Sequence, residues 1–389
     1  MKNKKQTEDK GNSKQYKKKL VKWFTAGALI VACLAAIILY NTYTTRYKSN
    51  VQEKFTLHIT PQTTYASLVD TLDKYLSNIK TFERTFAKEN PQQKLQTGRY
   101  VFKSGTNNLE ITRAIRNGWQ TPYRLTLSGN IRGAEKLASI LGKRLMTDSL
   151  DFITYFNDPE TWSKYGLTKE TFISLFIPNT YEIYWNSNPE QFTKRMAKEH
   201  SKFWNEERSA KAKELGLSKE EVSTLASIVC EESNYGPELP AIAGVYLNRL
   251  RRGMKLDADP TVKYALNDPT IKRILFKHLK VDSPYNTYKH PGLPPGPITI
   301  PSTRGIDAVL NYEKHNYLYF CANANLNGTH KFASTLSEHN RYVRQGIPRP
   351  SLQLRHCRSG YDERSRGPGF HRPGAFRFLF RHVCFRPCL

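Results

Sequence analysis

The chain has 389 residues, of which 39% are hydrophobic and 12% aromatic, enough for about two or three domains with cores of their own. Its formal net charge of +26 favours an anionic partner or an anionic surface. Nucleic acid is the first class to consider at such a charge, but the sequence has no helix-turn-helix spacing, zinc-finger pattern or RNP-like aromatic motif. No nucleic-acid partner is therefore predicted. The six cysteines show no paired spacing typical of zinc, and neither a metal site nor a cofactor is predicted.

The N-terminal part has the layout of a membrane anchor. Residues 1–22 are polar and rich in lysine, and residues 23–40 form an almost unbroken apolar run. A run of about 18 residues is just long enough to span the hydrocarbon of a bilayer. Lysines before the run predict an N-terminus in the cytoplasm and an exported body. A cleaved signal peptide is the alternative, but no small-residue cleavage site follows the run. We predict an uncleaved single-pass helix at 23–40 and a connector at 41–54.

A small α/β module is predicted at residues 55–122. Alternating residues at 55–59 and 98–102 predict two strands. Apolar residues at helical spacing predict helices at 65–76, 79–87 and 108–117. Gly118 follows the last of them as a helix-ending residue. Units of this size and composition are more often binding domains than catalytic ones.

Residues 123–217 are predicted to be a mostly helical linking region that opens with a strand at 123–127 and a helix at 133–146. The helical pattern is interrupted by an aromatic cluster of Tyr181, Tyr184 and Trp185. Such a cluster fits a platform on which sugar rings stack and fits core packing equally well. The sequence leaves both interpretations open.

One helix carries a carboxylate in an unusual place. Ser218 followed by Glu221 is a capping box, which predicts a helix that begins there and runs to Glu232. Its apolar stripe consists of Leu225, Ile228 and Val229. At about 100° per residue, Glu232 projects within roughly 20° of Leu225. A carboxyl held against apolar side chains loses the hydration that favours its charged form, so its pKa should rise, as a general acid requires. The alternative is a frayed, solvated helix end.

Short elements and shaped loops follow, and the catalytic domain is predicted at 218–346. Gly and Pro are so dense at 292–298 that this segment cannot form regular structure, and rigid loops of this kind often wall a cleft. Helices are predicted at 237–252, 306–310 and 335–343, and strands at 317–322 and 330–333. The composition changes sharply near the end, where Arg, Pro, Phe, Gly and Cys are crowded without periodicity, and we predict disorder at 347–389.

Six segments occur in an order that is more specific than any one of them. They are LASIVCEE at 225–232, VYLNRL at 245–250, GMKLDADPTV at 253–262, YNTY at 285–288, GLPPGPI at 292–298 and YLYF at 317–320. In these segments the sequence resembles the YceG-like family of endolytic murein transglycosylases, also called MltG. The N-terminal anchor and the small module, which resembles a LysM-like domain, extend the likeness over most of the chain. The predicted fold is α+β, with a single N-terminal transmembrane helix, the LysM-like module and a mixed α+β catalytic domain.

The resemblance implies a lytic transglycosylase that cleaves the bond between N-acetylmuramic acid and N-acetylglucosamine without water. The product is a 1,6-anhydromuramic end, and the enzyme would limit the length of nascent glycan strands. The family sits in the cytoplasmic membrane and faces the wall, so peptidoglycan is the implied substrate and peptidoglycan synthases are candidate partners. The family's catalytic glutamate falls on Glu232, in agreement with the helix phase.

Five further residues are candidates for substrate contacts: Asn248, Arg249, Asp259, Asn286 and Tyr288. Three of them have structural alternatives. Asp259 equally fits a helix N-cap before a proline, Arg249 equally fits a pair with a local carboxylate, and Asn286 equally fits hydrogen bonding to loop backbone.

Two other functions stay open. A hydrolytic muramidase would use a second carboxyl beside Glu232, taken from Asp257, Asp259 or Glu231. A non-catalytic wall-binding scaffold would rely on the small module and the aromatic cluster. One departure from the family is Cys230, where many members carry an acidic residue. Whether Cys230 pairs with Cys321 depends on the fold.

Overall fold

The structure is a computed structural model and describes residues 2–346 except 269, 272, 324, 326 and 327. The tail predicted at 347–389 lies outside the described residues. The helices are α1 Lys2–Thr42, α2 Tyr65–Asp73, α3 Ile79–Glu89, α4 Asn108–Asn117, α5 Gly133–Gly142, α6 Ser149–Phe156, α7 Pro159–Lys164, α8 Pro189–Phe203, α9 Glu206–Leu215, α10 Lys219–Glu232, α11 Leu239–Arg251, α12 Asp259–Leu266, α13 Thr303–Leu310 and α14 Leu336–Gly346. The strands are β1 Phe55–Ile59, β2 Gly98–Phe102, β3 Tyr123–Leu127, β4 Asn179–Ile183, β5 Tyr319–Ala322 and β6 His330–Ala333.

The architecture is mixed α+β, as predicted. The strands form two-stranded sheets, in which β1 pairs with β2, β3 with β4 and β5 with β6. β1–β2 and β5–β6 are antiparallel. Because each sheet is so small, the apolar faces of the helices must supply most of the core. The chain divides into two compact units, one made of residues up to 124 together with 182–187, and one made of residues 125–181 together with those from 188 onward. The finer boundaries predicted from the sequence stay predictions.

The first unit contains the small module. In β1, Phe55, Leu57 and Ile59 are buried while the residues between them are exposed, as strict alternation predicts. These side chains pack with apolar residues of α2, α3 and α4, among them Leu68, Leu72, Phe82, Phe86, Ile111 and Ile115. α4 is capped by Gly118, whose φ of 70° suits glycine. The elements predicted in this module are therefore present, with α2 ending at Asp73, before the end predicted at 76.

The first unit also contains the N-terminal helix. Residues Lys18–Tyr47 are long and apolar enough to cross a membrane, and none of the apolar stretch is buried. α1 continues as a π-helical turn at Tyr43–Tyr47. The backbone oxygen of Thr45 accepts hydrogen bonds from Thr85 Oγ1 at 2.9 Å and Asn108 Nδ2 at 2.8 Å. The end of the helix is thus held against α3 and α4.

The second unit is built around α10. Its buried side chains pack with those of α11 and α13, and the core includes Val222, Leu225, Ile228, Val229, Ile242, Tyr246, Ile306 and Val309. At one point α10 and α13 approach so closely that a Cβ added to Gly305 would lie 2.1 Å from Cys230 Sγ. The glycine is needed there because any side chain would separate the two helices.

Several predicted boundaries differ from the structure. The helix predicted at 133–146 ends at Gly142, since the next helix begins at Ser149 with Asp148 as its N-cap. The strand predicted at 317–322 begins at Tyr319. β4, inside the region predicted to be mostly helical, contains Tyr181 of the aromatic cluster.

The three residues of the aromatic cluster have different surroundings. Tyr181 is buried and donates a hydrogen bond to the Ile177 carbonyl oxygen, so it packs in the core. Tyr184 is 54% exposed, and the Trp185 ring lies 4.6 Å from the His58 ring. Of the two predicted interpretations, core packing is therefore the correct one for Tyr181.

Candidate active site

The helix that carries Glu232 forms for local reasons. Ser218 Oγ accepts from the backbone N–H of Glu221, and the Glu221 carboxylate accepts from the backbone N–H of Ser218, which confirms the predicted capping box. Leu225, Ile228 and Val229 are fully buried, as the predicted stripe requires. α10 ends at Glu232, followed by Ser233 in extended conformation. The last turn therefore directs a carboxyl toward the packed side of the helix.

A tyrosine hydroxyl meets that carboxyl. Tyr246 in α11 is nearly fully buried and donates a hydrogen bond of 2.7 Å to Glu232 Oε1. Burial is the main reason why the pKa of Glu232 rises to about 7. The hydrogen bond from Tyr246 and the positive charge of Arg249 act against this rise, while the charges of Asp259 and Glu231 add to it. The half-buried carboxyl with a tyrosine partner agrees with the predicted direction of the pKa and disfavours a frayed helix end.

The Gly- and Pro-rich loop packs directly on α10. The backbone N–H of Ile298 donates to Ser227 Oγ at 3.0 Å. A Cβ added to Gly296 would lie 2.1 Å from the backbone oxygen of Glu170, so only glycine allows this approach. The loop is rigid because its prolines restrict the backbone and because it is fastened to the helix that carries Glu232.

Asp259 and Tyr288 form a pair. Tyr288 Oη donates to Asp259 Oδ1 at 2.7 Å. α12 begins at Asp259, and Ala258 occupies the N-cap position, so the N-cap alternative for Asp259 is wrong. The backbone N–H of Ala258 donates a hydrogen bond to Thr287 Oγ1 at 3.0 Å. The Asp259 carboxylate contributes to the electrostatics of Glu232, which brings these two predicted site residues together.

Two other candidates hold the β5–β6 hairpin. Asn248 Nδ2 donates to the backbone oxygens of His315 at 2.7 Å and Tyr317 at 3.1 Å. Arg249 is 9% exposed, donates from Nε to the Leu318 backbone oxygen at 2.6 Å, and pairs with Asp257 at 3.3 Å. The predicted alternative of a local carboxylate partner is therefore correct for Arg249.

Asn286 is wholly buried. Its Nδ2 donates to the backbone oxygens of Leu279 at 2.9 Å and Val281 at 2.8 Å, and its Oδ1 accepts from the backbone N–H of Tyr288 at 3.1 Å. This geometry favours the predicted alternative in which Asn286 satisfies loop backbone. It fixes the loop that presents Tyr288.

The carboxyls considered for a second catalytic role all have partners. Glu231 Oε2 pairs with Arg132 Nη2 at 2.7 Å, Asp257 pairs with Arg249, and Asp259 accepts from Tyr288. Cys230, at the position of the family departure, lies 3.3 Å from Ser302 Oγ. Cys230 and Cys321 are both free thiols. Among the described residues, no group of three or more His, Cys, Asp or Glu side chains is placed to hold a metal ion.

The sequence did not single out Tyr246 or Arg132 as functional residues. Tyr246 lies inside the helix predicted at 237–252, and a buried tyrosine hydroxyl usually finds a partner. Arg132 is 99 residues away from Glu231 along the chain, and no local pattern indicates that pairing.

The chain has similar proteins in both sequence and structure. An endolytic murein transglycosylase of Bacillus subtilis (strain 168) is 40% identical over 186 residues, which are 48% of this chain and 43% of that protein. An endolytic murein transglycosylase of Streptococcus pneumoniae serotype 2 (strain D39) is 33% identical over 139 residues, which are 35% of this chain and 25% of that protein. The match thus spans less than half the length of either relative.

A YceG-like protein of Listeria monocytogenes, known from a 2.6 Å crystal structure, is similar in fold with a TM-score of 0.52 and 28% identity. The likeness covers 74% of this chain and 98% of that one. The model of the YceG-like family matches residues 57–345, well over half of the chain. With the Glu232 helix, the loop at 292–298 and the β5–β6 hairpin all inside that range, this chain belongs to the YceG-like family.

Proposed function

We propose that the protein is an endolytic peptidoglycan lytic transglycosylase and that Glu232 is its catalytic acid. The observation that carries the proposal is a carboxyl with a pKa raised to about 7, held by Tyr246 at the end of α10. Such a group is protonated in part of the molecules at neutral pH and can both give and take a proton. The names of the similar bacterial proteins support the same activity.

The chemistry requires only one carboxyl of this kind. Glu232 donates its proton to the glycosidic oxygen as the bond from that oxygen to C1 of N-acetylmuramic acid breaks. The C6 hydroxyl of the same sugar then bonds to C1 and returns its proton to the Glu232 carboxylate. No water is consumed, and the product carries a 1,6-anhydro ring. A hydrolase would instead need a second carboxyl to act as nucleophile or to activate water.

The remaining residues support this reaction in different ways. In this proposal the pair of Asp259 and Tyr288 contacts and orients the sugar beside the acid, which matters because an oxocarbenium-like transition state depends on orientation and hydrogen bonding. Asn248 and Arg249 act indirectly by holding the hairpin, and Asn286 acts indirectly by holding the loop of Tyr288.

The setting of the enzyme is proposed as well. The apolar helix at Lys18–Tyr47 would anchor the chain in the cytoplasmic membrane, with the N-terminus inside and the body outside. The module at 55–122 would act as a LysM-like unit that engages glycan strands, and a peptidoglycan synthase would supply the nascent strand. The stem peptides of peptidoglycan carry carboxylates, which fits the strongly basic chain.

The test uses the full chain in detergent, incubated with purified glycan strands, with the products read by mass spectrometry. We expect anhydromuramic ends from the wild type and none from Glu232→Gln. Glu220→Gln, in the first turn of the same helix, is the matched control and should cleave normally. Reducing muramic ends, heavier by one water, would make the protein a muramidase. Normal cleavage by Glu232→Gln would show that Glu232 is not the catalytic acid.

A further inference from the structure

Glu231 and Glu232 are adjacent carboxyls with different surroundings. Glu232 accepts from a neutral hydroxyl, whereas Glu231 Oε2 is 2.7 Å from Arg132 Nη2. The side chains of Arg132 and Glu231 are 35% and 19% exposed. An ion pair at this depth is only partly screened by water, so it affects the potential at a neighbouring group.

Arg132 is held in place by backbone hydrogen bonds. The N–H of Asn130 donates to the Ile300 oxygen at 3.1 Å, and the N–H of Ile300 donates to the Ile131 oxygen at 2.9 Å. Two residues before Ile300, the N–H of Ile298 donates to Ser227 in α10. The same stretch of chain therefore fastens both the segment that carries Arg132 and the helix that carries Glu231.

We propose that Arg132 is a positioning residue for Glu232: by pairing with Glu231 it holds the last turn of α10 and balances the charge next to the acid. The inference rests on the proposed function for its catalytic meaning. Its electrostatic content can be measured without any turnover, so the two can fail separately.

Several charged and titratable groups of the described residues surround this pair. Glu232 faces Tyr246 and Arg249 from α11, Asp259 from α12 and Glu231 from its own helix. Cys230 is affected by the charges of Glu231 and of Arg304 in α13. Tyr264 of α12 is affected by the charges of Arg132, Glu135 and Glu170 and by a hydrogen bond with Tyr285. Arg132 is therefore the cation that directly contacts the carboxyl preceding the acid.

The proposal predicts opposite effects from the two partners. Arg132→Met leaves the negative charge of Glu231 unbalanced, so Glu232 holds its proton more tightly and the basic limb of the pH–activity profile moves up by about half a unit or more. Glu231→Gln leaves the positive charge of Arg132 alone, so the limb moves down. The double variant has neither charge, and its limb should return close to that of the wild type. Arg132→Lys keeps the charge and should not move it.

The experiment measures cleavage of purified glycan strands by the full chain across pH 5 to 9. In parallel, the titration of Glu232 is obtained from the pH dependence of unfolding, by comparing each variant with the same variant carrying Glu232→Gln. Arg208→Met is the matched control, because Arg208 Nε pairs with Asp307 Oδ1 at 2.8 Å elsewhere in the same unit. It should leave the limb where it is.

Opposite shifts that cancel in the double variant would establish the positioning role. An unmoved limb in Arg132→Met, or a displacement that the second change does not reverse, would overturn it and leave Arg132 with a purely structural role. If Arg132→Met is too unstable to study, Arg132→Gln, which removes the charge and keeps a polar side chain, is compared with Arg132→Lys: an upward shift of the limb in Arg132→Gln alone supports the role, and no shift overturns it. If the wild type cleaves nothing, the proposed function fails, and the unfolding titration still tests the pairing.

Discussion

Polar groups that are shielded from water differ between the two units in how completely they are hydrogen-bonded. In the first unit, buried Asn50 donates to the Asn78 backbone oxygen at 2.9 Å and to Asn108 Oδ1 at 2.7 Å, and it accepts from the Asn78 N–H at 2.9 Å. Asn108 donates in turn to Thr45 and Thr81. In the second unit, half-buried Glu232 accepts a hydrogen bond from Tyr246, and its pKa is raised because the loss of hydration outweighs that bond.

The difference separates a group that serves folding from one that is suited to chemistry. A saturated amide network stabilises one arrangement of the chain and has nothing left to exchange. A carboxyl whose ionised form is destabilised in the folded state lowers the stability of the protein near neutral pH. The same raised pKa allows it to transfer a proton. The second unit contains both kinds, since Arg249 donates to three backbone oxygens and to the Asp257 carboxylate, whereas Glu232 has a raised pKa.

The largest loss of stability is expected from Arg249→Ala. This change leaves the backbone oxygens of Lys255, Leu256 and Leu318 without this donor and removes the cation that lies 3.3 Å from the Asp257 carboxylate. Breaking a buried pair of this kind costs about 3–5 kcal/mol. Hydrogen exchange of the β5–β6 amides in the full chain measures the loss, and Arg251→Ala on the exposed side of α11 should change it little. Unchanged hydrogen exchange in Arg249→Ala would mean that the Arg249 guanidinium does not stabilise the fold.

Asn108→Ala should destabilise the first unit by about 2–3 kcal/mol, because Asn50 and the Thr45 oxygen each lose a buried partner. Faster hydrogen exchange confined to β1, β2, α3 and α4 is the expected result. Exposed Gln92→Ala provides the control. An unchanged exchange rate would show that the hydrogen bonds of Asn108 do not stabilise the first unit.

Glu232→Gln should stabilise the folded protein, whereas the two preceding changes destabilise it. The folded-state pKa of about 7 lies above the ordinary value of 4.5, so the stability contributed by the protonated carboxyl is fully present below pH 4.5 and is lost as the pH rises toward 7. The amide does not titrate, and the variant should gain about 1–3 kcal/mol at pH 8 with little gain at pH 4.5. Thermal unfolding at both pH values measures the gain, with Glu220→Gln expected to be flat. Equal gains at both values would show that no raised carboxyl is involved.

The smallest change in stability is expected from Tyr246→Phe, about 1 kcal/mol of loss for one hydrogen bond. Because the hydroxyl lowers the pKa of Glu232, its removal should raise that pKa further and move the basic limb of the activity profile upward. Turnover should fall by about tenfold, the equivalent of roughly 1.4 kcal/mol. Tyr312→Phe, whose hydroxyl accepts from Arg251, is the matched control. A downward shift of the limb would contradict the assignment of Tyr246 as the donor.

The fold was predictable wherever local patterns dominate. The alternation of β1, the capping box of α10 and the glycine after α4 all follow from neighbours within a few residues. Boundaries were less predictable, as α5 shows, because Asp148 competes as the cap of the following helix. For the candidate site, the sequence identified Glu232 and the tight loop at 292–298. It named Asn248, Arg249 and Asn286 as candidate substrate contacts and left structural roles open for the last two, because polar residues in a family motif look alike whether they touch substrate or backbone.

The sequence by itself determined that a carboxylate ends an amphipathic helix on its apolar side, since helical phase depends only on the regular rotation per residue. It left open whether that carboxyl is desolvated or lies at a frayed helix end. Only the tertiary structure decided which groups surround it, with Tyr246 from α11 on Glu232 and Arg132 from a distant segment on Glu231. Those contacts depend on how separate elements pack, and packing is set by the shape of the whole core and not by the spacing of residues along the chain.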